Sequence, residues 1–155
     1  MRDRELYGRI LGVSAPWRVV DVTLEDVTQR VLVFLEHSDR TSLTCPECGE
    51  RCPGYDSLER RWRHLDTCQF QTILVAQVPR CSCPEHGVRQ VRVPWAEEHS
   101  RFTALFEAVA IDWMQEAGRA ATARRMRLSW DEAHGIMRRA VARGLERRAS
   151  AGPSA

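Results

Sequence analysis

The sequence predicts an α+β chain, β-rich up to about Trp95 and helical after Ser100, on three observations. Short β-branched runs separated by polar or proline-containing breaks fill the N-terminal part. Two nearly identical strings, Cys45-Pro46-Glu47-Cys48-Gly49 and Cys83-Pro84-Glu85-His86-Gly87, stand in the middle. Beyond Ser100 the apolar residues recur at spacings of three and four, the period of an amphipathic helix. The expected layout is a small β-rich segment over 1–40, a metal ribbon over 41–97, a helical segment over 98–148 and a disordered tail over 149–155.

The first strands are expected at Arg9–Val13, Trp17–Leu24 and Arg30–Leu35. The 34 residues between Cys48 and Cys83 hold further strand-like runs, Arg61–Leu65 and Phe70–Val78, which suit a hairpin inserted between the two strings. Such an insertion is tolerable, because loop-closure entropy rises only by about 0.6 kcal/mol per doubling of length. Val91 and Val93 alternate with Arg92 and predict one more strand, ending at Pro94.

Each string places two metal-capable side chains three positions apart on a tight turn, with proline setting the entry and glycine permitting a positive φ at the exit. Two such turns supply Cys45, Cys48, Cys83 and His86, the four ligands of a tetrahedral structural zinc site, and define a zinc ribbon. The charged N-terminus, Met1-Arg2-Asp3-Arg4-Glu5-Leu6, has no apolar run suited to a signal peptide, so reduced cysteines inside the cell are expected in place of disulfides. Cys52, Cys68 and Cys81 are then spare. Cys81 could compete with Cys83; we expect it to point away from the ligands, two places along an extended strand, whereas residues three apart on a turn converge. His64 and His99 are expected to be packing or surface residues.

In the helical part Phe102, Leu105, Phe106, Val109, Trp113 and Met114 form an apolar stripe, with Arg101, Glu107, Asp112 and Glu116 largely between them. Gly118 breaks the run, and Ala120–Met126 is a short second helix by propensity. Ser129-Trp130-Asp131-Glu132 is a capping box that starts a third helix running to about Arg147. On that helix Trp130, Ala133, Ile136, Met137, Ala140, Val141, Gly144 and Leu145 share one side, and Asp131, Glu132, Gly135, Arg138, Arg139 and Arg143 the other. A short helix, a tight turn and a capped second helix make a helix-turn-helix, whose second helix enters the DNA major groove.

Charge supports that reading. All 23 basic residues are arginine; residues 1–118 hold 14 of them against 18 acidic residues, and residues 119–155 hold 9 against 3. A basic C-terminal segment on a chain of net charge +2 points to a polyanionic partner. The candidate DNA contacts are Arg124, Arg125, Arg127, Asp131, Arg138, Arg139 and Arg143. Length and composition, 155 residues and 43% hydrophobic, suit a soluble globular protein with no apolar run long enough to cross a membrane.

The strings Thr44–Gly49, Arg61–Asp66, Cys83–Gly87, Val93–Glu97 and Ser100–Thr103, continuing through Leu128–Glu132, resemble the N-terminal part of bacterial insertion-sequence transposases of the ISL-three family. The resemblance covers most of residues 40–148. It implies a zinc-binding domain with Cys45, Cys48, Cys83 and His86 as ligands, then a helix-turn-helix, the two binding the inverted repeats at transposon ends. In that family an acidic-triad nuclease domain follows. The sequence departs from the pattern by carrying Arg127 where glycine usually precedes Leu-Ser-Trp. It also stops at Ala155, where the nuclease would begin, and no acidic set suited to two divalent cations is visible.

The expected function is therefore DNA binding in the bacterial cytoplasm, at the nucleoid, by a transposase portion that has structural zinc and no catalytic residues. Homodimerisation is left open. A free-standing zinc-ribbon regulator or protein-interaction module is the alternative, and a Cys/His enzyme using Cys81 or Cys52 as nucleophile is a third class.

Overall fold

The computed structural model describes residues 2–38 and 43–152, which divide into two compact units, residues 1–104 and 105–155. In order, the first unit contains α1 (Asp3–Leu11), β1 (Trp17–Glu25), β2 (Arg30–His37), β3 (Leu43–Thr44), β4 (Arg51–Cys52), β5 (Gly54–Thr67), β6 (Phe70–Cys83) and β7 (Gly87–Gln90). The expected boundary near residue 40 does not separate two bodies, because β2 lies beside β6 in parallel, from Arg30 opposite Gln71 to Glu36 opposite Gln77.

Strand β6 organises this sheet, whose order is β1-β2-β6-β5 with β7 also on β6. Along one edge β6 pairs antiparallel with β5, from Cys81 opposite Gly54 to Phe70 opposite Thr67. Along the other it is shared: β2 ends opposite Gln77, and β7 runs from opposite Cys83 to opposite Arg80. Pro79, which has no amide to donate, falls at the handover, where a missing ladder bond does least harm. The same handover explains why Val91–Val93 is not a strand as expected. After the Val91 amide donates to the Pro79 carbonyl at 3.0 Å, the edge ahead belongs to β2.

Alternate residues of the strands build the core: Val31, Val33 and Leu35 from β2, Leu74, Ala76 and Val78 from β6, Trp62 from β5 and Trp17 from β1. Trp95 closes it, standing edge-on to Trp17 at 4.8 Å and to Trp62 at 5.4 Å between ring centroids. Edge-to-face tryptophans add about 0.5–1.5 kcal/mol per pair beyond the area they bury.

Arg9–Val13, expected as a strand, instead lies in the last turn of α1 and the residues after it. Asp3 and Glu5 occupy the first turn, Arg9 the last, and Gly12 ends the helix at φ 66°, the polarity and stop a helix favours. Tyr7 and Leu11 pack on the sheet core, and the Tyr7 hydroxyl lies 2.9 Å from Thr67 Oγ1. His64 is buried, with Nδ1 2.7 Å from Thr103 Oγ1, and desolvation lowers its pKa; the side chain of His99 is exposed.

The second unit is built from α2 (Ala104–Arg125) and α3 (Trp130–Ala151). Gly118 interrupts α2 at φ 81°, ψ 169°, the break expected there, and the Ala-rich stretch continues as its second half. A turn over Met126–Leu128 follows, in which the Leu128 amide returns to the Ala123 carbonyl at 2.8 Å. Arg127 takes φ 54° in this turn, the conformation that glycine accepts without strain. Ser129 caps α3: its Oγ accepts from the Glu132 amide at 3.1 Å, and Glu132 Oε1 accepts from the Ser129 amide at 2.8 Å.

The buried face of α3 differs from the expected stripe. Ala133 and Ile136 are fully buried, whereas Trp130, Val141 and Leu145 are 55%, 57% and 60% exposed. Leu105 and Trp113 of α2 are exposed too. In their place Glu107, expected on the solvent side, is buried and accepts from Arg139 Nε at 2.7 Å, with Arg143 Nη1 at 3.5 Å. The helix also outlasts its expected end at Arg147, so residues 149–151 of the anticipated tail are helical; residues 153–155 lie outside the described residues.

Candidate metal centre and nucleic-acid interface

Each cysteine-containing string sits at the tip of a hairpin. The first joins β3 to β4, where the Cys45 amide donates to the Glu50 carbonyl at 2.9 Å and the Gly49 amide to the Cys45 carbonyl at 3.0 Å. The second joins β6 to β7, with Cys83 opposite Gly87. Gly49 and Gly87 have φ of 75° and 73°, so both turns need the left-handed conformation the glycines supply. The tips meet, and one ligand atom from each of Cys45, Cys48, Cys83 and His86 lies within 4.8 Å of the others.

This donor set fits zinc in chemistry and size. Zn–S bonds of about 2.3 Å and Zn–N bonds of about 2.0–2.1 Å put tetrahedral S···S edges near 3.8 Å and S···N edges near 3.6 Å. Cys48 Sγ and Cys83 Sγ are 3.7 Å apart, and His86 Nδ1 is 3.8 Å from Cys45 Sγ and 3.6 Å from Cys83 Sγ. With Nδ1 among the thiols, a neutral imidazole carries its proton on Nε2, where the Glu47 carboxylate stands 3.6 Å away. Arg89 Nε holds the other oxygen of Glu47 at 3.2 Å.

The thiols differ electrostatically. The amide of His86, then its imidazole, lower Cys83 to about 6. At Cys48 the Glu50 amide lowers the pKa, but burial and the neighbouring thiols Cys45 and Cys83 outweigh it and raise the group to about 11. A metal reverses that crowding, since thiolates that repel one another are each attracted to a dication.

Cys81 does not turn away from Cys83, contrary to expectation. Side chains two apart on a strand return to the same face, so Cys81 and Cys83 both enter a buried cluster with Leu43, Cys45 and Cys52. Cys81 stays out of the four-ligand group because it meets Cys52 instead: burial, then the neighbouring Cys81 thiol, push Cys52 up to about 12. A buried thiol held protonated is a poor nucleophile, which argues against Cys52 in that role. Cys68 is exposed in the turn between β5 and β6.

The arginines proposed for DNA separate into two sets. Arg124, Arg125, Arg127 and Arg138 are exposed, as is Asp131. Arg139 and Arg143 turn to Glu107 and serve the packing of α2 on α3. Three residues absent from the sequence-based set meet where Arg119 of α2 reaches Trp130 and His134 at the start of α3. Arg119 lies over the Trp130 ring, 3.9 Å from its centroid, and its Nη1 is 3.3 Å from His134 Nδ1. The visible signal was Trp130 and His134 one turn apart, on a helix whose inner face is set by Ala133 and Ile136.

Two family models match the chain. Residues 42–86 match the zinc-finger of transposase IS204/IS1001/IS1096/IS1165, and residues 91–141 match the helix-turn-helix domain of transposase family ISL3. Two relatives, each a transposase for insertion sequence element IS1557 from a Mycobacterium tuberculosis strain (CDC 1551 / Oshkosh, and ATCC 25618 / H37Rv), are 30% identical over 146 residues. The match covers 90% of this chain and 33% of each relative, so the chain spans about a third of their length. No solved structure matches. Residues 42–141 thus carry, in order, the zinc-finger and helix-turn-helix domains of the ISL3 transposases, and the chain belongs to that family.

Proposed function

We propose that this chain recognises the terminal inverted repeats of an insertion sequence, with α3 in the major groove, and that its 155 residues bind DNA without performing the transposition chemistry. Cys45, Cys48, Cys83 and His86 hold one zinc ion. With four protein ligands no coordination position stays open for water, so the metal fastens the two hairpin tips and activates no nucleophile.

The observation that carries the reading is the surface of α3: a capped helix after a tight turn, presenting Asp131, His134 and Arg138 from its N-terminal half beside the exposed Arg124, Arg125 and Arg127. Arg138 can reach a guanine edge or a phosphate; the three arginines around the turn suit the phosphate backbone. Among the described residues no helix is long and apolar enough to cross a membrane, and binding to an insertion sequence would put the protein at the bacterial nucleoid.

Electrophoretic mobility shift titration at two salt concentrations tests the proposal. Affinity for inverted-repeat duplex should exceed that for random duplex and fall steeply with salt, by about 0.9 log units per phosphate contact for each log unit of salt. Arg138→Ala should weaken binding by about 1–3 kcal/mol if it reads a base. Absent or salt-insensitive binding would favour the second reading, a protein-interaction module, which the exposed Trp130, Val141 and Leu145 support.

A further inference from the structure

The stacked Arg119 links α2 to α3 only at the surface. Trp130 is 55% exposed at the first position of α3, so Arg119 covers a surface ring and not a core one. The contacts of Arg119 among the described residues are that ring and His134 Nδ1; no carboxylate pairs with it. Asp131 and Glu132 are nearby in sequence, yet Glu132 is committed to the Ser129 amide. A cation placed beside the start of a helix also opposes the helix dipole, so its position does not stabilise α3 by that route.

The geometry points to Arg119 as a DNA phosphate clamp, a contact made by α2 while α3 occupies the groove, with Trp130 and His134 as the residues that position it. The inference rests on the DNA-binding reading above. A guanidinium lying on an aromatic face keeps its N–H donors directed outward in the ring plane, and here one donor is tied to His134 while the others are free for phosphate oxygens. Because the stack exists before DNA arrives, little side-chain freedom remains to be lost on binding. The target is a phosphate in preference to a base because the first helix of a helix-turn-helix crosses the backbone.

The test compares wild type, Arg119→Ala, Trp130→Ala, Trp130→Phe, the double variant Arg119→Ala/Trp130→Ala and Arg138→Ala, using zinc-loaded protein and duplexes with and without the inverted repeat. Circular dichroism confirms the fold of each. For Arg119→Ala we expect the salt slope to flatten by about 0.9, equivalent to roughly an eightfold loss at 0.1 M salt, the same on both duplexes. Trp130→Ala should lose part of this, Trp130→Phe should recover it, and the double variant should bind no worse than Arg119→Ala alone, since a positioning residue has nothing left to position. An unchanged slope in Arg119→Ala, with weakened binding in Arg138→Ala, would overturn the clamp and leave the DNA reading intact. A loss confined to the inverted repeat would also overturn it, by making Arg119 a base reader. Wild type without salt-dependent binding would remove both.

Discussion

The two units are held together in different ways. Residues 1–104 combine an extensive sheet core, in which three tryptophans meet edge to face, with four candidate zinc ligands that gather at two hairpin tips outside that core. Residues 105–155 have a smaller apolar core, with Phe106, Ala110, Ala123, Leu128, Ala133 and Ile136 buried, and they place a carboxylate among these side chains. Glu107 is 1% exposed and satisfied by arginines from α3. The candidate ligands of the sheet unit lie close in sequence in pairs; the helical unit relies on an ion pair spanning 32 residues. A buried ion pair fails when either partner is lost, because the other charge is left uncompensated.

Zinc removal should have the largest effect. Structural zinc contributes roughly 10–16 kcal/mol of apparent binding energy at neutral pH, so Cys45→Ser, Cys48→Ser, Cys83→Ser and His86→Ala should each lose stoichiometric zinc and unfold the hairpin tips. Cys68→Ser should retain it. Metal analysis of the purified variants decides, and a zinc-loaded Cys83→Ser beside a zinc-free Cys81→Ser would show the wrong cysteine was assigned.

The second prediction breaks the other unit. Arg139→Ala leaves Glu107 buried without its closest partner and should destabilise α2–α3 by about 3 kcal/mol, while Arg138→Ala, one residue away and exposed, should change stability by less than about 0.5 kcal/mol. Urea unfolding followed by far-UV circular dichroism measures both. Equal effects would mean the Glu107 pair contributes nothing.

A smaller effect concerns acid. His64 resists protonation because it is buried, whereas the unfolded chain takes up that proton near pH 6.5. Its contribution should hold above about pH 6.5 and decline as pH falls through that value toward the lowered folded pKa. Thermal melts of wild type and His64→Gln across pH 5–8 should converge on acidification, and parallel curves would exclude the histidine as the cause.

The smallest change is at the turn. Arg127→Gly relieves a side chain at φ 54° but loosens the unfolded chain, so a net stabilisation of about 0.5 kcal/mol is expected, together with weaker DNA binding from the lost charge. Calorimetry and mobility shift read the two consequences separately.

Much of the metal centre could be read directly because it is made of turns. A Cys-Pro-Glu-Cys-Gly string determines its own geometry within five residues, and only the meeting of two such tips is nonlocal. The Ser129 cap was legible for the same reason. The strand expected at Arg9–Val13 failed because its apolar run also suits one face of a short helix packed on a sheet. The strand expected at Val91–Val93 failed because a neighbour, and not its own residues, had taken the edge.

By itself, then, the sequence determined the local chemistry of this protein: its zinc turns, its helix cap, the charge of its last helix and the family these imply. Only the tertiary structure decided which face of α3 is buried, which arginines are committed to Glu107 and that Arg119 lies on Trp130. A turn or a cap is set by interactions within about four residues, which the chain spells out in order. A helix face is chosen by whichever partner it meets, and the partner of Arg139 lies 32 residues away, where periodicity carries no information.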